Sequence, residues 1–196
     1  MNTKTSSNAD HSKWSVDPIH SDLSFQTKYL MIGTVTGYLT SFNLEVQTTG
    51  NDFGEVTDLQ LTADLTSLTT RHEPRDEHLK SHDFFDVENH PSLTFQGIHF
   101  EKKGMVPPSL LSTYRRDFKL QGNLVIKGIS RLITLDGGFG GLSTDQDGQK
   151  RAGFKIKGKI SRNNFGLVWQ SVLDSGKLIL GDEVDIIANI QLVKRI

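Results

Sequence analysis

Five polar side chains of this sequence are of types that could act on a charged or polar group. Arg75, Asp76 and His78 fall within one short run, His20 follows Asp17-Pro18-Ile19, and Arg162 opens Arg162-Asn163-Asn164-Phe165-Gly166. The planar guanidinium of Arg75 matches a phosphate or carboxylate bidentately, and the imidazoles of His20 and His78 could donate to a diphosphate. Each also has a plainer reading: an Arg75–Asp76 pair or helix cap, and histidines bonded to turn backbone. His78 and His82 stand four apart, on one face of any helix that spans both. No spacing fixes a third ligand, and His72-Glu73 is not followed by the second histidine of His-Glu-x-x-His, so no metal is expected. There is no nucleophile elbow and no phosphate-binding glycine loop; Gly137-Gly138-Phe139-Gly140-Gly141 reads as a turn cluster without a following helix. Neither catalytic residues nor a cofactor are expected.

The 196 residues are enough for one domain with its own core. Lys and Arg number 22 against 23 Asp and Glu, a net charge of −1, so no global basic field exists to hold nucleic acid or an anionic membrane. With no cysteine, disulfides, thiolate metal sites and a cysteine nucleophile are ruled out. The longest apolar run, Tyr29-Leu30-Met31-Ile32, is far short of the roughly 20 residues of a membrane-spanning helix. Met1 and Ala9 are the apolar residues of the first twelve, too few for a secretory signal. The expectation is a cytoplasmic protein without stable membrane insertion, with a flexible polar tail over 1–12 and one domain over 13–196.

Apolar and polar residues alternate with period two over long stretches, as in strands with one dry face. Tyr38, Phe42, Leu44 and Val46 form one such face; Leu59, Leu61, Ala63 and Leu65 another. The pattern recurs at Phe118, Leu120, Gly122, Leu124 and Ile126, at Phe154, Ile156, Gly158 and Ile160, and at Val184, Ile186, Ala188, Ile190 and Leu192. Glycine- or proline-bearing segments, Gly137-Gly138 among them, separate the runs. About eight strands with little helix are most stable when the sheet curls and removes its own edges, so an all-β antiparallel barrel is predicted. Lys155, Lys157 and Lys159 are then a solvated exterior stripe. The helix expected near Thr70 has Thr70-x-x-Glu73 as capping box and Pro74 in its first turn. A barrel of this size either fills with side chains or holds one slender ligand. Gly122 and Gly158, on inward registers, make room for that ligand or let the barrel bend.

Several motifs occur in order: Trp14-Ser-Val-Asp17-Pro18-Ile-His20-Ser21-x-x-x-Phe25, Gly33-x-Val35-x-Gly37, Arg75-Asp76-x-His78-Leu79-x-Ser81-x-Asp83-Phe84-Phe85-Asp86-Val87, His90-Pro91-x-Leu93-x-Phe95, Gly122-x-Leu124-x-Ile126-Lys127-Gly128 and Ser161-Arg162-x-Asn164-Phe165-Gly166-Leu167. In this set the chain resembles the YceI family of lipocalin-like lipid-binding proteins, from Trp14 to Leu192. The resemblance implies an extended eight-stranded antiparallel barrel with a short helix near one mouth. It also implies a non-enzymatic protein that holds a polyisoprenoid or similar long-chain lipid, for sequestration, storage or transport, and that forms a homodimer. The head group would meet His20, Arg75, Asp76, His78 and Arg162. The lipid chain would meet Phe25, Phe42, Leu44, Leu61, Leu65, Phe84, Phe85, Phe95, Leu120, Leu124, Ile156, Phe165, Trp169, Ile186 and Ile190. Leu167, Val168, Trp169, Val172 and Leu173 make a flap over the entrance or a buried crossover. The run 103–117 departs from the family pattern as an insertion-like loop, and the missing secretory signal departs from periplasmic relatives. Two competing readings are a filled barrel acting as a stress or interaction protein, and a lipid-modifying hydrolase.

Overall fold

A computed structural model describes residues 11–30, 32–50, 53, 55–103, 118–170 and 179–195. In chain order its elements are β1 (His11–Val16), β2 (Asp22–Tyr29), β3 (Gly33–Leu39), β4 (Phe42–Thr49), β5 (Val56–Asp64), β6 (Leu68–Thr69), α1 (Glu73–Lys80), β7 (Ser92–Lys102), β8 (Phe118–Ile126), β9 (Ile129–Thr144), β10 (Lys150–Ser161) and β11 (Leu180–Lys194). All pairings among them are antiparallel. One long strand, β11, pairs with both β1 (Trp14↔Lys194) and β2 (Leu23↔Ala188), so these two are halves of one broken stave. By the same reasoning β4 and β3 make a second stave, facing β1 and β2, and β5 with β6 a third. With β7 to β11 these close into an eight-staved antiparallel barrel, as the periodicity predicts.

The breaks are where the alternation misleads. Tyr38 does not share a face with Phe42, because the chain bends at Thr40 and Ser41 and the extra residue flips the side-chain phase. Ser67 holds that bend: its hydroxyl accepts from the Ser41 N–H at 3.0 Å and its carbonyl from the Thr40 hydroxyl at 3.1 Å. Leu39 consequently turns inward, 5% exposed, while Tyr38 faces out beneath the Arg71 guanidinium.

Gly137 to Gly141 is not a turn but the middle of β9. A Cβ on Gly137 would fall within the ring of Phe118 on the neighbouring strand, and Gly140 is the extra residue of a bulge opposite Gly153 and Phe154. Phe95 covers Gly122 and Leu135 covers Gly158 in the same manner, so the room these glycines leave is taken by large neighbours at bends of the wall.

The helix cap is also displaced. His72, not Thr70, is the N-cap of α1, its Nδ1 accepting from the Arg75 N–H at 3.3 Å, with Pro74 in the first turn. Thr70 is withdrawn from capping because its hydroxyl bonds to the Asp76 carboxylate and accepts from Arg75 Nε. One end of the barrel is closed by aromatic packing: Trp14, 1% exposed, donates its Nε1–H to Thr48 and lies 4.7 Å from the ring of Phe53, which meets Phe154 edge-on at 4.8 Å. Of the expected insertion-like loop 103–117, only Lys103 falls among the described residues, its Nζ 3.3 Å from Asp136. The stripe Lys155, Lys157 and Lys159 lies on the exposed exterior of β10.

Candidate functional site

The inward faces of the staves do not meet at the barrel axis. They surround a cavity of about 550 Å³ that reaches from Phe53 and Val56 near the closed end to α1 and the segments flanking β10 and β11, a volume within the usual range of ligand pockets. Along its length the wall is aliphatic and aromatic. Phe25, Leu44, Leu61, Phe84, Phe85, Phe95, Leu120, Leu124, Ile156, Trp169, Ile186 and Ile190 all line it. Three of the lumen residues expected from the sequence do not. Leu65 and Phe165 sit in 3-10 turns beyond the strand ends and pack beneath them, 0% and 1% exposed. Phe42 packs between the Trp14 and Leu65 clusters instead.

At the α1 end the wall changes character. Strands give way to α1, to the turn carrying Phe84 and Phe85, and to Leu167, Trp169 and Ile179. Here Arg75, His78 and Arg162 come together, with His72 as a fourth basic or titratable group. From the sequence, His72 enters only as part of His72-Glu73 and not among the expected head-group residues; its N-cap position on α1 is the signal that sets it beside His78. The ring of Trp169 stands edge-on to His78 at 4.9 Å and 5.3 Å from Phe84, joining the segment after β10 to the helix. His78 Nε2 is 3.3 Å from Asp83 on its outer side. Of the expected flap, Leu167 and Trp169 line the cavity and Val168 is exposed, whereas Val172 and Leu173 lie outside the described residues.

His20 and Asp76 are not in this wall. His20 is 58% exposed and bonded to Asp17, whose carboxylate also receives Arg151 and the Ile19 N–H at 3.1 Å; this cluster ties the β1–β2 bend to β10. Asp76 lies behind the helix, 8% exposed, and accepts from the Thr69 hydroxyl at 2.8 Å, the Thr70 N–H at 2.7 Å and the Thr70 hydroxyl. Burial by itself would raise its carboxyl. The three bonds and the charge of Lys80 outweigh burial and hold it below the usual 3.8. A carboxyl depressed by folding contributes stability that is full above its unfolded value and is lost as pH falls through the folded one. Asp76→Asn is therefore expected to cost about 2 kcal/mol near pH 7 and progressively less as pH drops below 4, measured by urea unfolding across that range. A cost that stays constant into acid would contradict this role for Asp76.

Arg162 carries the most unusual electrostatics. Although 3% exposed, it bonds to neutral carbonyls: Nε to Gly181 at 2.9 Å, and Nη1 to Trp169 at 2.9 Å and to Leu167. Burial pulls its pKa below the usual value, and the charge of Asp182 offsets part of that. The Asp182 carboxylate itself is engaged by the Ser161 hydroxyl and the Asn163 N–H. Nη2 of Arg162 has no hydrogen-bond partner among the described residues.

Comparison with known proteins places this architecture. Residues 14–192 match the family described as YceI-like domain. A UPF0312 protein of Staphylococcus aureus strain N315 is 36% identical over 171 residues, covering 86% of this chain and 90% of that one. Among solved structures, BcnA of Burkholderia cenocepacia superposes with a TM-score of 0.72 at 21% identity, over 90% of this chain and 98% of that chain. A polyisoprenoid binding domain from Saccharophagus degradans, implicated in plant cell wall breakdown, superposes with a TM-score of 0.62 at 15% identity, over 91% and 97% of the respective chains.

Proposed function

We propose, from the premise that this chain belongs to the YceI-like domain family, that it binds one long-chain lipid of the isoprenoid class inside the barrel and acts as a carrier or store without chemistry of its own. The observation that carries this reading is the cavity: about 550 Å³, walled by apolar side chains for most of its length, with its polar groups gathered at one end. A slender hydrocarbon fits such a site, since it needs apolar contact along its chain and hydrogen bonding only at its head. Burying several hundred Å² of such a chain at about 25 cal/mol per Å² contributes on the order of 10 kcal/mol before association costs. The polyisoprenoid binding named for the Saccharophagus domain supports the isoprenoid class.

The same cavity weighs against a filled barrel, which would have no void to offer. Titration of delipidated protein with geranylgeraniol, followed by tryptophan emission and by the unfolding midpoint, tests the proposal. Saturable binding near one per chain with a raised midpoint is expected; no change in either signal would overturn it.

A further inference from the structure

Among the described residues, three of the large apolar side chains that stand exposed gather at one place, the α1 end of the cavity. Ile32 is 89% exposed and Val168 63%, and Tyr29 is half-exposed while also lining the cavity. A chain of bonds joins them into one rim. Leu180 pairs with Tyr29 in the sheet, and the Leu30 N–H donates to the Ile179 carbonyl at 2.7 Å. Arg162 gives Nε to the Gly181 carbonyl and Nη1 to the carbonyls of Leu167 and Trp169, the two neighbours of Val168. Leu167 and Trp169 face the cavity, and Val168 between them is turned out at its mouth. The turn between β2 and β3 breaks two local rules at once. It is closed by the Ile32 N–H on the Tyr29 carbonyl at 3.2 Å, and Leu30 holds φ at 54°, where such a turn ordinarily takes glycine or asparagine. Its sequence is apolar where turns are ordinarily polar, and Lys28 is the one charged residue from 28 to 34. Natural sequences break local rules where a surface has a use.

Resting on the lipid-binding reading above, we infer that this rim docks on a lipid bilayer, with Ile32 and Val168 entering the boundary between head groups and hydrocarbon, so that the lipid passes between membrane and cavity without crossing water. A long isoprenoid chain released into solvent would expose all the apolar area that the cavity covers. A mouth seated on a bilayer removes that barrier. Tyr29 belongs both to the cavity wall and to the exposed rim, and makes the apolar surface continuous from one to the other. A second copy of this chain on the rim would cover the same side chains but seal the mouth through which the lipid must pass. The attraction is apolar contact rather than charge, because the acids beside the rim are already engaged: Glu183 with Lys159 at 3.1 Å, and Asp182 with the Ser161 hydroxyl and the Asn163 N–H. Lys28 can keep its ammonium in the head-group layer while its stem lies along the turn. Docking is therefore expected on a zwitterionic membrane and changes little with salt.

The test is the unloading of geranylgeraniol from the loaded full chain into phosphatidylcholine vesicles. Release on contact has a rate constant that rises in proportion to vesicle concentration, whereas release through water has one set by dissociation alone; the first is expected. In the double variant Ile32→Asp, Val168→Asp the rate at a given vesicle concentration falls at least about tenfold, while the affinity for geranylgeraniol titrated without vesicles stays within about twofold of wild type. Val168→Asp alone is expected to slow unloading at least about threefold, which covers a double variant that does not fold. Leu142 is an exposed leucine at the other end of the barrel, paired with Ala152 of the Trp14 cluster, and Leu142→Asp is expected to unload at the wild-type rate. A wild-type rate independent of vesicle concentration, or one that the rim variants leave unchanged, overturns the docking and leaves the lipid cavity standing. An equal loss in Leu142→Asp overturns the assignment to this rim. Self-association in sedimentation that the rim variants abolish, with unloading unchanged, gives the rim to a second copy and overturns the inference. No binding of geranylgeraniol by the wild type overturns the lipid reading and this inference together.

Discussion

Ala188→Trp is expected to lower affinity for geranylgeraniol at least tenfold while leaving the unfolding free energy within about 1 kcal/mol of wild type. Ala188 points inward from β11, is 5% exposed and lines the cavity, flanked in register by Leu23 and Ile156. In a filled core an indole at this position would force neighbours off their rotamers at a cost of roughly 1 to 3 kcal/mol. Here it enters empty space and replaces void with apolar contact, which offsets that cost. The ligand loses the volume that the indole takes. Affinity and stability should therefore part company, whereas a filled barrel would show a stability loss and nothing else. Titration and urea unfolding on the same preparation separate the two; unchanged affinity in the folded variant would mean that the lumen at this level is not used.

Trp14→Ala acts at the other end with an effect of similar size on a different quantity. Trp14 is among the largest fully buried side chains, bonded to Thr48 and in tilted ring contact with Phe53, itself part of the cavity wall. Removing the indole forfeits its buried area and leaves a void, an expected loss of about 4 kcal/mol in urea unfolding. That void adjoins Phe53, so the cavity gains depth at its closed end. The variant is expected to bind a C30 isoprenoid alcohol more tightly relative to a C20 one than the wild type does. A destabilised variant with an unchanged chain-length preference would show that the closed end lies beyond the reach of the ligand.

Much of this could be read from the chain. Alternation alone placed Leu120, Leu124, Ile156, Ile186 and Ile190 on inward faces, because period two is a local property of an extended backbone. It could not tell an inward residue that meets the cavity from one that meets a turn. Leu65 continues the alternation of Leu59, Leu61 and Ala63, yet the chain leaves the sheet there for a 3-10 turn that buries it elsewhere. Tyr38 failed for a related reason: a single added residue at the Thr40–Ser41 bend inverts the phase, and the hydroxyl that holds the bend comes from Ser67 on another stave. The glycines of β9 look like a turn until Phe118 is seen lying over Gly137.

Polar residues were legible by type and not by role. Arg75, His78 and Arg162 come together at one end of the cavity. Asp76, adjacent to Arg75 in sequence, points away from it into Thr69 and Thr70, since successive helix residues lie about 100° apart around the axis. The buried state of Arg162 depends on carbonyls at 167, 169 and 181, none of which a sequence pattern marks.

The central claim is that the barrel holds one long-chain lipid of the isoprenoid class in its cavity. Native mass spectrometry of gently purified protein, followed by organic extraction and identification of what is released, tests it most directly. The account predicts one long-chain isoprenoid-type species per chain, or uptake of geranylgeraniol at that ratio by the emptied protein. A protein mass free of adducts, unchanged by the added lipid, would contradict it.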